Sequence, residues 1–145
     1  EQSPVLIATY AEQKFIEAEA AFEVDKTRSY NAYLEGIRAH MRMLGVEQSE
    51  IDAYVNSSAV SVGEDNFTID HIFKEKWVAM FLHPEAWVDA RRHDYNYENF
   101  DLPANLNPDL NGQFIRRLRY PDSEIGRNGS NVPDVTLLDR IFWDE

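Results

Sequence analysis

Apolar residues recur along the first ninety positions at helical spacing. Ile7, Ala11, Phe15, Ala18 and Phe22 follow one another at steps of four, four, three and four, which is one face of an α-helix. The spacing predicts a first helix opening near Pro4, a residue tolerated in a first helical turn. Alanines at 11, 18, 20 and 21 allow a neighbouring helix to approach closely, and Glu12, Glu17, Glu19 and Glu23 occupy the remaining surface. After the polar turn Asp25-Lys26-Thr27, a second helix carries Tyr30, Tyr33, Leu34, Ile37, Met41 and Leu44, with Gly45 at a left-handed C-cap. Two amphipathic helices joined by so short a loop predict an antiparallel hairpin. Ile51, Tyr54 and Val55 mark a shorter third helix ending around Ala59. Thr68 is expected to cap a fourth that presents Ile69, Ile72, Phe73, Trp77, Met80 and Phe81 on one side. His83-Pro84 breaks that pattern, and Pro84 opens a fifth helix through Trp87 to Arg91.

From Tyr95 onward the periodicity stops. Four prolines (103, 108, 121 and 133) and seven asparagines between Asn96 and Asn131 predict a long, turn-rich region. The end, VTLLDRIFWDE, holds Leu137, Leu138, Ile141, Phe142 and Trp143, enough apolar surface to pack back onto the fold. The fold class is therefore all-α, built of helical hairpins with an irregular, loop-rich C-terminal region. At 145 residues the default is one domain over 1–145. The hairpin is the building block of tetratricopeptide-like repeats, although the strict repeat pattern is not met.

Composition narrows the partners. Twenty-six acidic residues against 14 Lys plus Arg give a net charge of −12, which opposes polyanions, so nucleic acid is not expected as a partner. The cluster Arg116, Arg117, Arg119 is interleaved with Asp122 and Glu124, an internal salt-bridge pattern more than a binding patch. With no cysteine, disulfides and thiolate metal sites are excluded. His40, His71, His83 and His93 are scattered without metal-ligand spacing, so no metal site is expected. Asn107-x-Asp109-x-Asn111-Gly112 matches the first half of a calcium loop but puts Leu118 where the bidentate glutamate belongs. The serines include no nucleophile-elbow setting and the six glycines no phosphate loop, so neither catalysis nor a cofactor is predicted.

Four ordered segments carry a resemblance. LIATYAEQKFIEAEAAF (6–22), IDHIFKEKWVAMFL (69–82), the Trp87-x-Asp89-x-Arg91-Arg92 motif and RRLRYPDSEIGRN (116–128) are similar, in order, to the C-terminal part of SusD/RagB-family proteins. Those are lipid-anchored surface proteins that capture nutrients for transporters. The resemblance implies a tetratricopeptide-like fold and a non-catalytic role in binding an oligosaccharide or other nutrient. It also implies a SusC-like TonB-dependent transporter as partner and an outward-facing location at the cell outer membrane. Membrane attachment would run only through an N-terminal lipid anchor absent from this chain, which the resemblance makes the C-terminal portion of a longer protein. Trp77, Trp87, Asp89, Arg91 and Arg92 are expected to be scaffold, with Asp89 pairing an arginine and Trp87 anchoring a helix end.

Sugar recognition needs flat aromatic faces beside planar amide or carboxylate hydrogen-bonding groups. Tyr95-Asn96-Tyr97-Glu98-Asn99-Phe100-Asp101 is the best local match, with Tyr95, Asn96, Tyr97 and Asn99 as candidate ligand contacts. The family commonly has Thr-Gly-Tyr-Pro after its arginine pair, where this chain has His93-Asp94-Tyr95-Asn96. The competing reading of the whole chain is a helical-repeat module that binds protein and no sugar. The discriminating feature is whether a ring in this loop keeps one face open to solvent.

Overall fold

A computed structural model describes residues 6–144, and the chain divides into two compact units, Glu1–Asp89 and Ala90–Glu145. Among the described residues the regular elements are helices only. The first unit holds α1 (Tyr10–Ala21), α2 (Lys26–Met43), α3 (Gln48–Val55) and α4 (Ile69–Ala79). Helix α5 runs Pro84–Arg92, and in the second unit a short α6 (Asp122–Asn128) lies among turns.

Helix α1 starts later than its apolar pattern indicates. Thr9 is the N-cap: its hydroxyl accepts the Glu12 N–H at 3.0 Å, and the Glu12 carboxylate reaches back to the Thr9 N–H at 3.4 Å. This reciprocal capping box satisfies two orphan donors and fixes the boundary, so Ile7 lies outside the helix, 85% exposed. Pro4 lies outside the described residues. Local hydrogen bonding, which periodicity does not register, sets this start.

Helices α1 and α2 pair antiparallel. Ser29 Oγ, on a fully buried residue, donates to the Ala18 carbonyl at 2.6 Å, and two turns further along α2 Gly36 faces Phe15 of α1. A Cβ built on Gly36 would lie 3.1 Å from the Phe15 ring, so the missing side chain is what lets the backbone come this close. Gly45 ends α2 with φ +75°. Helix α3 packs on α2, and α4 packs on both α1 and α2. The core runs from Phe15 and Ala18 through Tyr33 and Ile37 to Ile51, Val55, Val60, Phe67 and Ile72. Phe67, just before α4, gathers Phe22, Tyr30 and Tyr33 around it with ring centroids 5.0–5.7 Å apart.

Helix α4 begins at the expected cap. The Thr68 N–H donates to His71 Nδ1 at 3.2 Å. Its buried stripe differs from the predicted one: Ile72, Phe73 and Met80 are buried, Trp77 is half-buried, and Phe81 is 74% exposed beyond the helix end. Glu75 and Lys76 share the buried side. Helix α3 stops at Val55, four residues short of Ala59.

Candidate functional site

Three places bear on function: the end of the helical unit, the ion pairs beneath it, and the loop region of the second unit. At the end of the first unit the segment before α1, the C-terminus of α2 and the residues after α4 line a groove of about 540 Å³. Its walls include Leu6, Ile7, Met43, Met80, Phe81 and Leu82, with Glu12 and His83 also in its lining. Leu82 is 87% exposed and held at φ +64°, a left-handed conformation costing a non-glycine residue about 1–2 kcal/mol. The strain follows from the geometry after α4. The His83 N–H returns to the Met80 carbonyl at 2.9 Å, and His83 Nδ1 accepts the Glu85 N–H at 3.3 Å, starting α5 at Pro84.

Beneath the groove, Lys76 is 4% exposed and its ammonium meets Asp89 at 2.7 Å and Glu19 at 3.6 Å, joining α4 to α5 and α1. The lysine of α4 was not expected as a partner of Asp89; the structure brings it there. A signal for this was present, because Ile72, Lys76 and Met80 are spaced by four and put a lysine on the buried stripe.

In the second unit Arg91 and Arg116 exchange bonds. Arg91 Nη1 donates to the Arg116 carbonyl at 2.9 Å, and Arg116 Nη1 donates to the Arg91 carbonyl at 3.1 Å. Arg116 also holds the Asp144 carboxylate at 2.9 Å and pairs with Asp94. Arg140 joins the same two acids, at 2.9 Å from Asp94 and 3.6 Å from Asp144. The tail therefore packs back as expected, but through Asp144, 1% exposed, and through Trp143, whose ring lies 4.5 Å from the Arg91 guanidinium. Phe142 stays 89% exposed.

The candidate ligand loop lies on this scaffold. Tyr95, at φ +57°, stacks on Phe114 with centroids 4.5 Å apart and planes 16° apart. Its hydroxyl donates to the Ile115 carbonyl, and the Arg116 guanidinium lies 5.1 Å from its ring. Phe100 packs against Tyr95, Tyr97 and Phe114, and Tyr97 meets His93 edge-on at 5.3 Å. The rings thus form a cluster among themselves, while Asn96 and Asn99 are exposed. Trp87 is half-buried and Arg92 exposed. Asn107 Oδ1 accepts the Asp109 N–H at 3.0 Å and Asn111 is left-handed, which closes the calcium-like stretch as a turn. Among the described residues no three acid or histidine side chains converge as metal ligands.

With this geometry in place, the sequence matches the model of a SusD-like family, described as starch-binding associating with outer membrane, over residues 1–121. The chain belongs to the SusD-like family. The match runs through the helical unit, the Trp87–Arg92 motif and the aromatic loop, and stops at Pro121. No curated protein and no solved structure matches this SusD-like chain. Among its described residues no helix is long and apolar enough to cross a membrane.

Proposed function

We propose that this chain serves a non-catalytic surface protein that captures an oligosaccharide or other nutrient and passes it to a SusC-like TonB-dependent transporter in the outer membrane, to which a lipid anchor holds it. The observation that carries the hand-over is the apolar groove at the end of the helical unit. Ile7, Phe81 and Leu82 are each more than two-thirds exposed there, and Leu82 is presented on a strained backbone. Burying each such side chain against a partner contributes about 1.5–3 kcal/mol. A docking protein would therefore find a ready anchor.

For the ligand, the family description makes starch the first glycan to test. In this reading Asn96 and Asn99 supply planar amides to sugar hydroxyls at the exposed edge of the loop, with Tyr97 beside them and Tyr95 as the brace beneath. The Asn96→Ala/Asn99→Ala double variant is expected to lose retention on immobilised starch. Undiminished retention would move the ligand contacts elsewhere. Phe81→Asp/Leu82→Asp is expected to abolish co-purification with the transporter while leaving starch retention intact. If co-purification persists, the groove is not the docking face.

A second reading, protein binding without sugar, is favoured by one observation. Tyr95, the first ring of the candidate loop, already touches Phe114, Phe100 and the Arg116 guanidinium. Failure to bind any glycan, with transporter capture intact, would select it.

A further inference from the structure

The turn that imitates half a calcium loop can carry a different chemistry. The chain contains two Asn-Gly pairs, Asn111-Gly112 and Asn128-Gly129, and all four residues are exposed. In such a pair the glycine backbone nitrogen can attack the carbonyl carbon of the asparagine side chain, because glycine brings no Cβ to crowd the ring that forms. By sequence the two pairs are alike. Their surroundings separate them.

Nothing restrains the reacting groups at Asn111. It closes the turn after Pro108–Leu110 at φ 49° and ψ 39°, and Gly112 follows at φ +74°. Among the described residues neither the Asn111 side-chain amide nor the Gly112 N–H has a hydrogen-bond partner. A Cβ built on Gly112 would meet nothing within 4 Å, so no packed neighbour fixes this peptide. Attack requires rotation about the Asn111 Cα–C bond, which disturbs the bond from the Gln113 N–H to the Leu110 carbonyl, 2.9 Å long.

Asn128 is held at both side-chain atoms. Its Nδ2 donates to Glu124 Oε1 at 2.7 Å, and its Oδ1 accepts from Asn131 Nδ2 at 2.6 Å. The side-chain carbonyl cannot turn onto Gly129 without giving up these bonds. Gly129 also carries the chain from the end of α6 into the 3-10 turn Gly129–Asn131, at φ −55° and ψ −30°.

We propose that Asn111 is a self-modification site of the folded protein, and that the fold protects Asn128 from the same reaction. The Gly112 nitrogen bonds to Asn111 Cγ, and the side-chain nitrogen leaves as ammonia, taking up the former amide proton of Gly112. One water then opens the succinimide to aspartate or isoaspartate. No enzyme, metal or oxidant takes part. Either product adds a negative charge to a chain already at −12. Isoaspartate also inserts a main-chain carbon, so the Gln113–Leu110 bond must then span a longer stretch of backbone.

The test is incubation of the folded chain at mildly alkaline pH, followed by peptide mapping by mass spectrometry. The readout is the mass increment of amide-to-acid conversion at each pair, with isoaspartate confirmed by enzymatic carboxyl methylation. Conversion at Asn111 is expected to run severalfold faster than at Asn128. In urea, where neither turn persists, the two rates should converge. In the Glu124→Ala/Asn131→Ala variant, which removes both partners of the Asn128 side chain, conversion at Asn128 should rise toward that at Asn111. The wild-type comparison needs no variant to fold. Equal rates in the folded protein, faster loss at Asn128, or a ratio unchanged in urea overturns the proposal.

Discussion

Replacing Gly36 by alanine sets two effects of known size against each other. In an exposed helix interior the change stabilises by about 1 kcal/mol, because glycine leaves the backbone freer when unfolded. Here the new methyl would lie 3.1–3.2 Å from three atoms of the Phe15 ring, against an optimum of about 3.5–4.0 Å between carbons. Phe15 is fully buried, so its ring cannot swing out, and α1 would have to retreat from α2 by several tenths of an ångström. Overpacking of this kind costs about 1–3 kcal/mol. The packing cost exceeds the propensity gain, and Gly36→Ala is expected to lose about 1 kcal/mol in urea unfolding. Phe15→Leu frees the ring's outer atoms at its own cost, and in the double variant the two changes should compensate, with a favourable coupling of about 1 kcal/mol. The readout is the midpoint shift at constant m-value. A stabilised Gly36→Ala protein, or additivity in the cycle, would refute the close packing of this hairpin.

Thr9→Ala removes the hydroxyl half of the α1 capping box and should cost about 1 kcal/mol in the same unfolding assay, with fraying confined to the first turn. Asp144→Ala takes a charge-assisted bond from Arg116 and should cost about 2 kcal/mol, seen as faster proteolysis between residues 132 and 144. In alkali, Tyr54 should ionise late: burial and the adjacent Glu75 push its phenol up to about 12, and burial raises Tyr33 as well. Because both folded-state values are raised, this stability is intact below the ordinary phenol value and is lost as pH climbs through the folded ones. Phenolate absorbance against pH should therefore show two tyrosines lagging until the protein unfolds.

Periodicity sufficed for the helices. Six apolar positions at helical spacing located α2, Gly45 marked its end, and Thr68 and Pro84 marked the starts of α4 and α5. It failed where a boundary rests on local hydrogen bonds, as at Thr9, and where the stripe of α4 admits charge. Lys76 falls on the Ile72–Met80 stripe, but its acidic partner 13 residues along the chain leaves no periodic trace, and Glu75 reads as a surface residue until Tyr54 of α3 is seen to meet it. The loop region was legible only in outline. Its order comes from arginines bonded to carbonyls far along the chain, and α6 is too short to show a pattern. The candidate ligand residues were found by composition. That Tyr95 braces while Asn96 and Asn99 face outward depends on packing against Phe114, which no local rule foretells.

The exchange of bonds between Arg91 and Arg116 has a consequence for how such a surface can diversify. The two residues cinch the base of a stretch 25 residues apart, each guanidinium gripping the other's backbone, so the ends of the stretch are held together whatever lies between. Closing a flexible loop of twice the length costs only about 0.6 kcal/mol more. Insertions beyond the Tyr95–Phe114 stack, around Leu102–Asn107, can therefore lengthen or reshape the exposed edge while the knot at its base stays tied. If this edge meets the ligand as proposed, a change in the length and lettering of one lasso alters what is recognised, with the helices left untouched.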